Sequence, residues 1–107
     1  MKQHTEELAY ELASAAASLS QAINNLESAD DVKRFIEDLC TPAEIEAMVD
    51  RWRVAQMLDK GLSYRQVRDL TEVSVTTIGR VARFMEFGEG GYRLALDGLK
   101  PAQGVNA

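Results

Sequence analysis

Apolar side chains recur along this chain at intervals of three and four residues, which is the period of one face of an α-helix. The first such stretch covers residues 5–27 and is rich in alanine and leucine. Its apolar positions alternate spacings of four and three, as in a heptad seam. They are Leu8, Leu12, Ala15, Leu19, Ala22 and Leu26. Alanine at half of these positions lets a partner helix approach closely, so the stretch predicts a helix that packs against other helices.

Helix start and stop residues divide the middle of the chain into two further helices. Ser28, with Asp31 three residues later, predicts the start of a second helix that ends near Cys40. The segment 41–44, Thr-Pro-Ala-Glu, predicts the start of a third helix, because proline suits the first helical position and threonine can cap it. Gly61 predicts its end, since glycine readily takes the left-handed conformation that follows a helix.

Two short helices with a tight turn between them are predicted next, which is the pattern of a helix-turn-helix. A capping box at Ser63 and Gln66 opens a helix of about two turns that ends near Leu70. Residues 71–74 form the predicted turn, Ser74 caps the next helix and Gly88 ends it. The predicted internal core consists of Val67, Leu70, Val73, Ile78 and Val81. The opposite face of the second helix carries Thr76, Thr77, Arg80, Arg83 and Phe87.

The chain as a whole is predicted to be one all-α domain of short helices, because no stretch alternates apolar and polar residues as strands do. Dimerisation helices are expected over about 5–40 and the helix-turn-helix over about 63–87. A last short helix follows from residue 92, and 101–107 is expected to be a loose tail. A chain of 107 residues buries only about two-thirds of its unfolded surface, so a core shared by two copies would add stability.

Charge is distributed unevenly along the chain, and this changes the meaning of its net charge of −5. Residues 1–50 carry three Lys or Arg and eleven Asp or Glu, a net charge of −8. Residues 51–84 carry seven Lys or Arg and three Asp or Glu, a net charge of +4, and residues 85–107 have a net charge of −1. Positive charge is therefore concentrated on and before the predicted helix-turn-helix, as binding to phosphates requires.

Other function classes find little support. The longest uncharged run, Leu12 to Leu26, is too short and too polar to span a bilayer. Cys40 is the only cysteine, so no internal disulfide is possible and a reducing cytoplasm is the expected location. The sequence has no nucleophile–base pairing, metal-ligand spacing or cofactor fingerprint, so neither an enzyme nor a metal or cofactor site is predicted.

The residue types on the helix-turn-helix point to double-stranded DNA. Thr76 and Thr77 can bond base edges or phosphates and touch thymine methyl groups, and Arg80 can reach guanine or phosphate. Arg65 and Arg68 on the preceding helix are placed to bind the DNA backbone. The bare pattern also fits an ordinary helical hairpin with a solvated, charged face.

A wider set of residues, spread over about 32–97, forms a more specific pattern. It consists of Phe35 to Thr41, Glu44, Ile45, Val54, Ala55, Met57, Leu58, Gly61, Tyr64, Gln66, Thr77, Ile78, Arg80, Val81 and Gly91 to Leu94. In residue types and spacing this set resembles the YerC/YecD branch of the Trp-repressor superfamily. The resemblance implies an intertwined, all-helical homodimer that reads DNA as a transcriptional regulator, with a repressor expected. By position it implies that Val75, Thr76, Thr77 and Arg80 start the reading helix, with Arg65 and Arg68 beside the DNA.

Two features depart from the family pattern. Glu72 lies at a turn position where relatives often have glycine, and a carboxylate there adds strain and repels phosphate. In the member of the superfamily that binds tryptophan, two arginines hold the amino acid, and the matching positions are Arg51 and Arg80. Here Val81 and Phe84 replace small residues beside them, which predicts a filled pocket, so tryptophan is not expected to bind and another small effector stays open.

One different function stays open. A helical protein-interaction module could keep this fold and bind protein instead of DNA. The acidic net charge and Glu72 favour that alternative, whereas the arginines around Thr76 and Thr77 favour DNA. Because phosphate contacts weaken with salt, salt-dependent DNA binding distinguishes the two.

Overall fold

A computed structural model describes residues 5–99, and within that range the chain is all-α, with six helices and no strand. The helices are α1 (Glu6–Asn24), α2 (Ala29–Leu39), α3 (Pro42–Asp59), α4 (Tyr64–Thr71), α5 (Val75–Phe87) and α6 (Gly91–Leu99). The predicted fold class is confirmed. The predicted tail at 101–107 lies outside the described residues.

The chain divides into two compact units between Thr41 and Pro42. This division falls at the end of the predicted dimerisation helices. The first unit contains α1 and α2, and the second contains α3 to α6. Each unit is described by itself below.

In the first unit, each helix starts at a capping hydroxyl, of which only Ser28 was predicted. The Thr5 hydroxyl accepts a hydrogen bond from the Leu8 N–H (3.1 Å), and the Ser28 hydroxyl accepts one from the Asp31 N–H (3.1 Å). One boundary differs from the prediction. Because α1 ends at Asn24, Leu26 follows the helix instead of continuing its seam, and its N–H donates to the Ile23 carbonyl (3.2 Å). The seam on α1 therefore has five positions.

The apolar seam of α1 is not buried within the first unit. None of the residues of α1 or α2 is buried. The side chains of Leu12, Leu19 and Ile23 are all exposed, although leucine and isoleucine are among the residues that proteins most often bury. The helix thus has an amphipathic pattern without the packing partner that such a pattern requires.

The second unit has a core of its own. Residues from three helices and one turn form a single buried cluster: Val54, Ala55, Val67, Val73, Ile78 and Val81. Helix α6 adds Leu96, which is also buried. Every pair among α3, α4 and α5 is in contact, and α6 contacts α3 and α5. Helices α4 and α5 are therefore held in a fixed relation by α3 beneath them.

The prediction that Leu70 belongs to the core is wrong. Leu70 is 60% exposed, whereas Thr71, which extends α4 by one residue beyond the predicted end, is half-buried. At about 100° per residue, Thr71 lies closer than Leu70 to the direction of the buried Val67. Its hydroxyl is also satisfied there, since it donates to the Val67 carbonyl (2.7 Å) and accepts from the Val73 N–H (3.1 Å). A small polar residue therefore closes this side of the core.

The turn between α4 and α5 depends on a left-handed residue. Glu72 has φ 61° and ψ 14°, and among the described residues it is the only one other than glycine with positive φ. Its N–H donates to the Arg68 carbonyl (2.8 Å), which ends α4. This conformation costs an L-residue with a Cβ about 1–2 kcal/mol. Glu72, which lies where relatives often have glycine, is therefore a position of backbone strain.

Helix α6 is joined to the end of α3 by a three-residue ionic cluster. The Arg93 guanidinium donates to Asp59 Oδ1 and to Asp97 Oδ1, both at 3.0 Å. The hydrogen bond to Asp59, together with the charges of both carboxylates, raises the pKa of Arg93. The pair with Asp59 brings together residues 34 positions apart in the sequence.

Candidate nucleic-acid interface

Both helices of the predicted helix-turn-helix start at well-formed caps. Ser63 and Gln66 form the full capping box: the Ser63 hydroxyl accepts from the Gln66 N–H (3.2 Å) and the Gln66 side chain accepts from the Ser63 N–H (2.8 Å). At α5 the Ser74 hydroxyl accepts from the Thr77 N–H (3.2 Å). Together with Glu72, these bonds fix where each helix begins and how far apart they start.

Helix α5 has one buried face and one exposed face. Ile78 and Val81 are fully buried against α3 and α4. The opposite face of α5 is exposed. It carries the predicted Thr76, Arg80 and Arg83, and Phe87 at the end of the helix. Val75, the first helical residue, is exposed as well. The arrangement leaves one helical face of alternating hydroxyl, cationic and apolar groups free for a ligand.

The supporting helix α4 also exposes its predicted cations. Arg65 and Arg68 both lie on its exposed surface. The Arg68 guanidinium is 3.7 Å from the Asp69 carboxylate, a loose contact between two exposed groups. Among the described residues, Arg65, Arg80 and Arg83 have no carboxylate within ion-pair distance. Three of the four arginines of this face therefore keep their charge available for an anionic ligand.

Thr77 differs from the other predicted contact residues. It is half-buried, and its hydroxyl oxygen accepts a hydrogen bond from the Ser74 hydroxyl (3.1 Å). With its N–H also bonded to Ser74, Thr77 is part of the cap of α5. Its hydroxyl proton can still be donated, but the side chain is less open than those of Val75 and Thr76. The structure thus separates the first turn of α5 into two exposed residues and one capping residue.

A ring contact that the sequence analysis missed lies on the same helix. The Arg80 guanidinium carbon is over the ring of Phe84, 5.0 Å from the ring centroid. From the sequence, Phe84 was expected only to fill space beside Arg51 and Arg80. Residues four positions apart are neighbours on a helix, but Arg83 and Phe87 have the same spacing without this contact, so spacing alone does not reveal the pair.

The proposed effector residues line an open cleft. It has a volume of about 300 Å³ and is lined by Arg51, Arg80, Val81, Phe84 and Tyr92. The Val81 side chain is almost fully buried in the core, whereas Phe84 is half-exposed and forms a wall. Arg51 and Arg80 are thus brought to one cleft, as expected, and space remains beside the two residues that were expected to fill it.

A second, mostly apolar cleft of about 460 Å³ adjoins the first. Trp52, Phe84, Tyr92 and Ala95 are among its lining residues. Trp52 and Tyr92 also pack against the core, so they act as structural residues on one side and as cleft wall on the other. Phe84 is shared by both clefts.

Metal-binding clusters and membrane-spanning helices are both absent from the described residues. Within residues 5–99, no group of three or more His, Cys, Asp or Glu side chains is placed to hold a metal ion. No helix of the same range is long and apolar enough to cross a membrane.

The fold and the exposed face of α5 define the class of protein: a helix-turn-helix protein in which a third helix supports the pair. The profile of the family described as Trp repressor protein matches residues 14–100. The chain therefore belongs to the Trp repressor family, a family named for a regulator and not for an enzyme.

Three relatives place the chain more closely. It is 38% identical to the uncharacterized protein YerC of Bacillus subtilis over 88 residues, which cover 79% of this chain and 85% of YerC. A TrpR-like protein from Eubacterium eligens superposes with a TM-score of 0.74 at 34% identity, covering 83% of this chain and 94% of that one. A Trp repressor candidate from Staphylococcus aureus superposes with a TM-score of 0.73, also at 34% identity, covering 78% and 84%. These matches confirm the resemblance to the YerC-like branch.

Proposed function

We propose that this protein is a sequence-specific DNA-binding regulator, most simply a repressor, that reads the major groove with α5 as a homodimer in the cytoplasm. The observation that carries the proposal is the division of α5 into a buried face and an exposed face. Ile78 and Val81 hold the helix, while Thr76, Arg80 and Arg83 stay free on its outer side. A reading helix must combine these two properties.

The two helices have different tasks in this proposal. Arg65 and Arg68 on α4 bind phosphates, which positions the protein without selecting a sequence. Val75, Thr76 and Arg80 at the start of α5 contact base edges, where an apolar group can meet a thymine methyl and a guanidinium can meet guanine. Thr77 supports them through the cap of α5, and Arg83 binds phosphate further along the groove.

The homodimer is supported by the exposed seam of α1. Leu12 and Leu19 are apolar, regularly spaced and uncovered in the single chain. Burying such a face against a second copy removes it from water, at about 25 cal/mol per Å² of apolar surface. A two-fold dimer would also present two copies of α5, so that the operator would contain two inverted half-sites.

A small effector would occupy the cleft that holds Arg51 and Arg80. Tryptophan is not the expected ligand, because Val81 and Phe84 replace the smaller residues that flank the indole in the tryptophan-binding relative, and the cleft beside them is open instead of closed around a flat ring. Calorimetry with millimolar tryptophan should give no saturable heat in the wild type, whereas Val81→Gly is the variant that would deepen the cleft. Saturable binding by the wild type would contradict this prediction.

The decisive test is DNA binding across a salt series, with sites selected from random duplexes. Replacing Arg65 or Arg68 by Ala should weaken binding to all sequences alike and lower the salt slope by about two per dimer, because each subunit loses about one phosphate contact. Arg34→Ala is the matched control, since Arg34 is an exposed arginine of α2, outside the helix-turn-helix. Its slope should stay close to that of the wild type.

Replacing Val75, Thr76 or Arg80 should instead change which sequences are preferred, by about 1–3 kcal/mol for each lost base contact. If the wild type binds no duplex even at low salt, the DNA-binding proposal is wrong. The acidic first half of the chain then favours the alternative of a helical protein-interaction module.

A further inference from the structure

Phe84 and Arg80 form a contact on the same side of α5 that carries the proposed base-reading residues. The two residues are one helical turn apart, and the guanidinium carbon lies over the ring at 5.0 Å from its centroid. This is within the distance at which a cation is attracted by the negative face of an aromatic ring. Because Arg80 has no carboxylate partner among the described residues, the ring is the group that orients its guanidinium.

The next pair along the helix provides an internal comparison. Arg83 and Phe87 have the same spacing of four residues, but among residues 5–99 the only arginine over a ring is Arg80. The two phenylalanines also differ in their surroundings. Both rings line a cleft together with Arg80 and Arg83, but Phe87 is 75% exposed, whereas Phe84 is 45% exposed and also lines the clefts that contain Tyr92. Spacing alone therefore does not create the contact, and the pair that forms it is the one with the less exposed ring.

We infer that Phe84 is a positioning residue that holds the Arg80 guanidinium in the orientation with which it reads a guanine. This inference rests on the proposed DNA-binding function. A free arginine side chain has many rotamers, and each must be given up when it binds a base. A guanidinium over an aromatic face has already lost much of that freedom, while the N–H groups in its plane still point outward as a fork.

The fork selects the kind of base. Two parallel N–H donors match the O6 and N7 acceptors of guanine in the major groove, which no other base offers as a pair. Phe84 would thus decide how strongly one G·C pair in each half-site is preferred, although its own ring touches no base. The expected contribution of the ring to this preference is about two- to fivefold, as for an exposed cation–π pair.

The test compares variants on the site selected by the wild type. Phe84→Leu keeps an apolar side chain and removes the ring face, so the preference for guanine should fall about two- to fivefold at one base pair per half-site. Binding to random duplexes and the salt slope should stay unchanged, because no charge is lost. Phe84→Trp keeps a ring face and should retain the preference, whereas Phe87→Leu should leave this base pair unaffected.

Two further variants separate positioning from a general structural effect. Arg80→Lys keeps the charge but not the fork, so it should lose the guanine preference at the same base pair by at least as much as Phe84→Leu does, and adding Phe84→Leu to it should cause no further loss. In the free protein, the NMR resonances of the Arg80 side chain should carry a ring-current shift that disappears in Phe84→Leu and persists in Phe84→Trp.

The outcomes distinguish this inference from the function on which it rests. If the wild type binds no DNA, both fail. If the wild type selects a site but Phe84→Leu keeps its full guanine preference, only the role of Phe84 is overturned. The same holds if Phe84→Leu weakens all sequences equally, since that result would indicate a structural role.

Discussion

The two units of this chain have the same kind of sequence pattern but different packing. Helix α1 repeats apolar residues at helical spacing, as α3 to α5 do, yet no residue of α1 or α2 is buried. In the second unit the pattern ends in a closed core that includes Val54, Val67 and Ile78. The comparison teaches that periodicity identifies the face a helix buries, but not whether the partner belongs to the same chain.

The sharpest way to test the closed core is to place a charge inside it. Ile78 lies on α5 and is fully buried against α3 and α4, and every other buried member of its cluster is apolar, so a carboxylate there has no cationic partner within the cluster. Ile78→Asp should lower the free energy of unfolding by more than about 4 kcal/mol. Urea denaturation measures the effect.

Val75→Asp is its matched control, because Val75 is exposed at the first turn of the same helix, where a negative charge is favourable. Its stability should stay within about 0.5 kcal/mol of the wild type. Equal urea midpoints for the two variants would show that the second unit is not held by this core.

A charge in the seam of α1 tests the other side of the comparison. Leu19→Asp should leave the second unit folded but weaken association of two copies by about 2–4 kcal/mol, because the seam offers the carboxylate no partner. Sedimentation at micromolar concentration should then show the variant as a monomer and the wild type as a dimer. Ala17→Asp is the control: it introduces the same charge about 200° away around α1 and should leave the dimer intact.

One outcome would contradict this prediction. If the wild type sediments as a monomer at micromolar concentration, the exposed seam of α1 is not covered by a second copy. A partner of another kind would then have to cover it.

The smallest expected effect concerns the turn at Glu72, which joins the supporting helix α4 to the reading helix α5. Glu72→Gly should raise the free energy of unfolding by about 1 kcal/mol, because glycine adopts φ 61° without steric cost. It should also raise affinity for DNA without changing the preferred sequence, since it removes a carboxylate near the phosphates. Thermal unfolding and duplex binding measure the two effects.

Glu86→Gly is the matched control for charge and residue type. Glu86 lies within α5, where glycine lowers stability by about 0.5–1 kcal/mol. The two substitutions should therefore shift the melting temperature in opposite directions. A shift in the same direction would mean that the left-handed conformation of Glu72 carries no strain.

The sequence predicted local features well and some spatial ones poorly. Caps at Ser28, Ser63 and Ser74 were predictable because each capping bond joins residues only three positions apart. Leu70 was misplaced because hydrophobicity alone cannot show that the hydroxyl of Thr71 finds two partners inside the unit. That arrangement depends on the path of the chain after the helix, which the helical spacing of apolar residues does not reveal.

The candidate site shows the same limit. The exposed positions of Arg65, Arg68, Thr76 and Arg80 follow from helical geometry and were predictable. The partnership of Phe84 with Arg80 was not, because Arg83 and Phe87 have identical spacing without that contact. What separates the two pairs is the enclosure of one ring by side chains from α3 and α6, which only the packed structure reveals.

The ion pair between Arg93 and Asp59 bears on the order in which the second unit folds and two copies associate. It closes a loop of 34 residues that contains α4 and α5, and all the helices that contact one another in the second unit lie within residues 42–99. Loops of such lengths close rapidly, and proteins built from local contacts fold quickly. This unit should therefore fold at a rate independent of protein concentration, whereas covering the α1 seam with a second copy is a bimolecular step that slows on dilution.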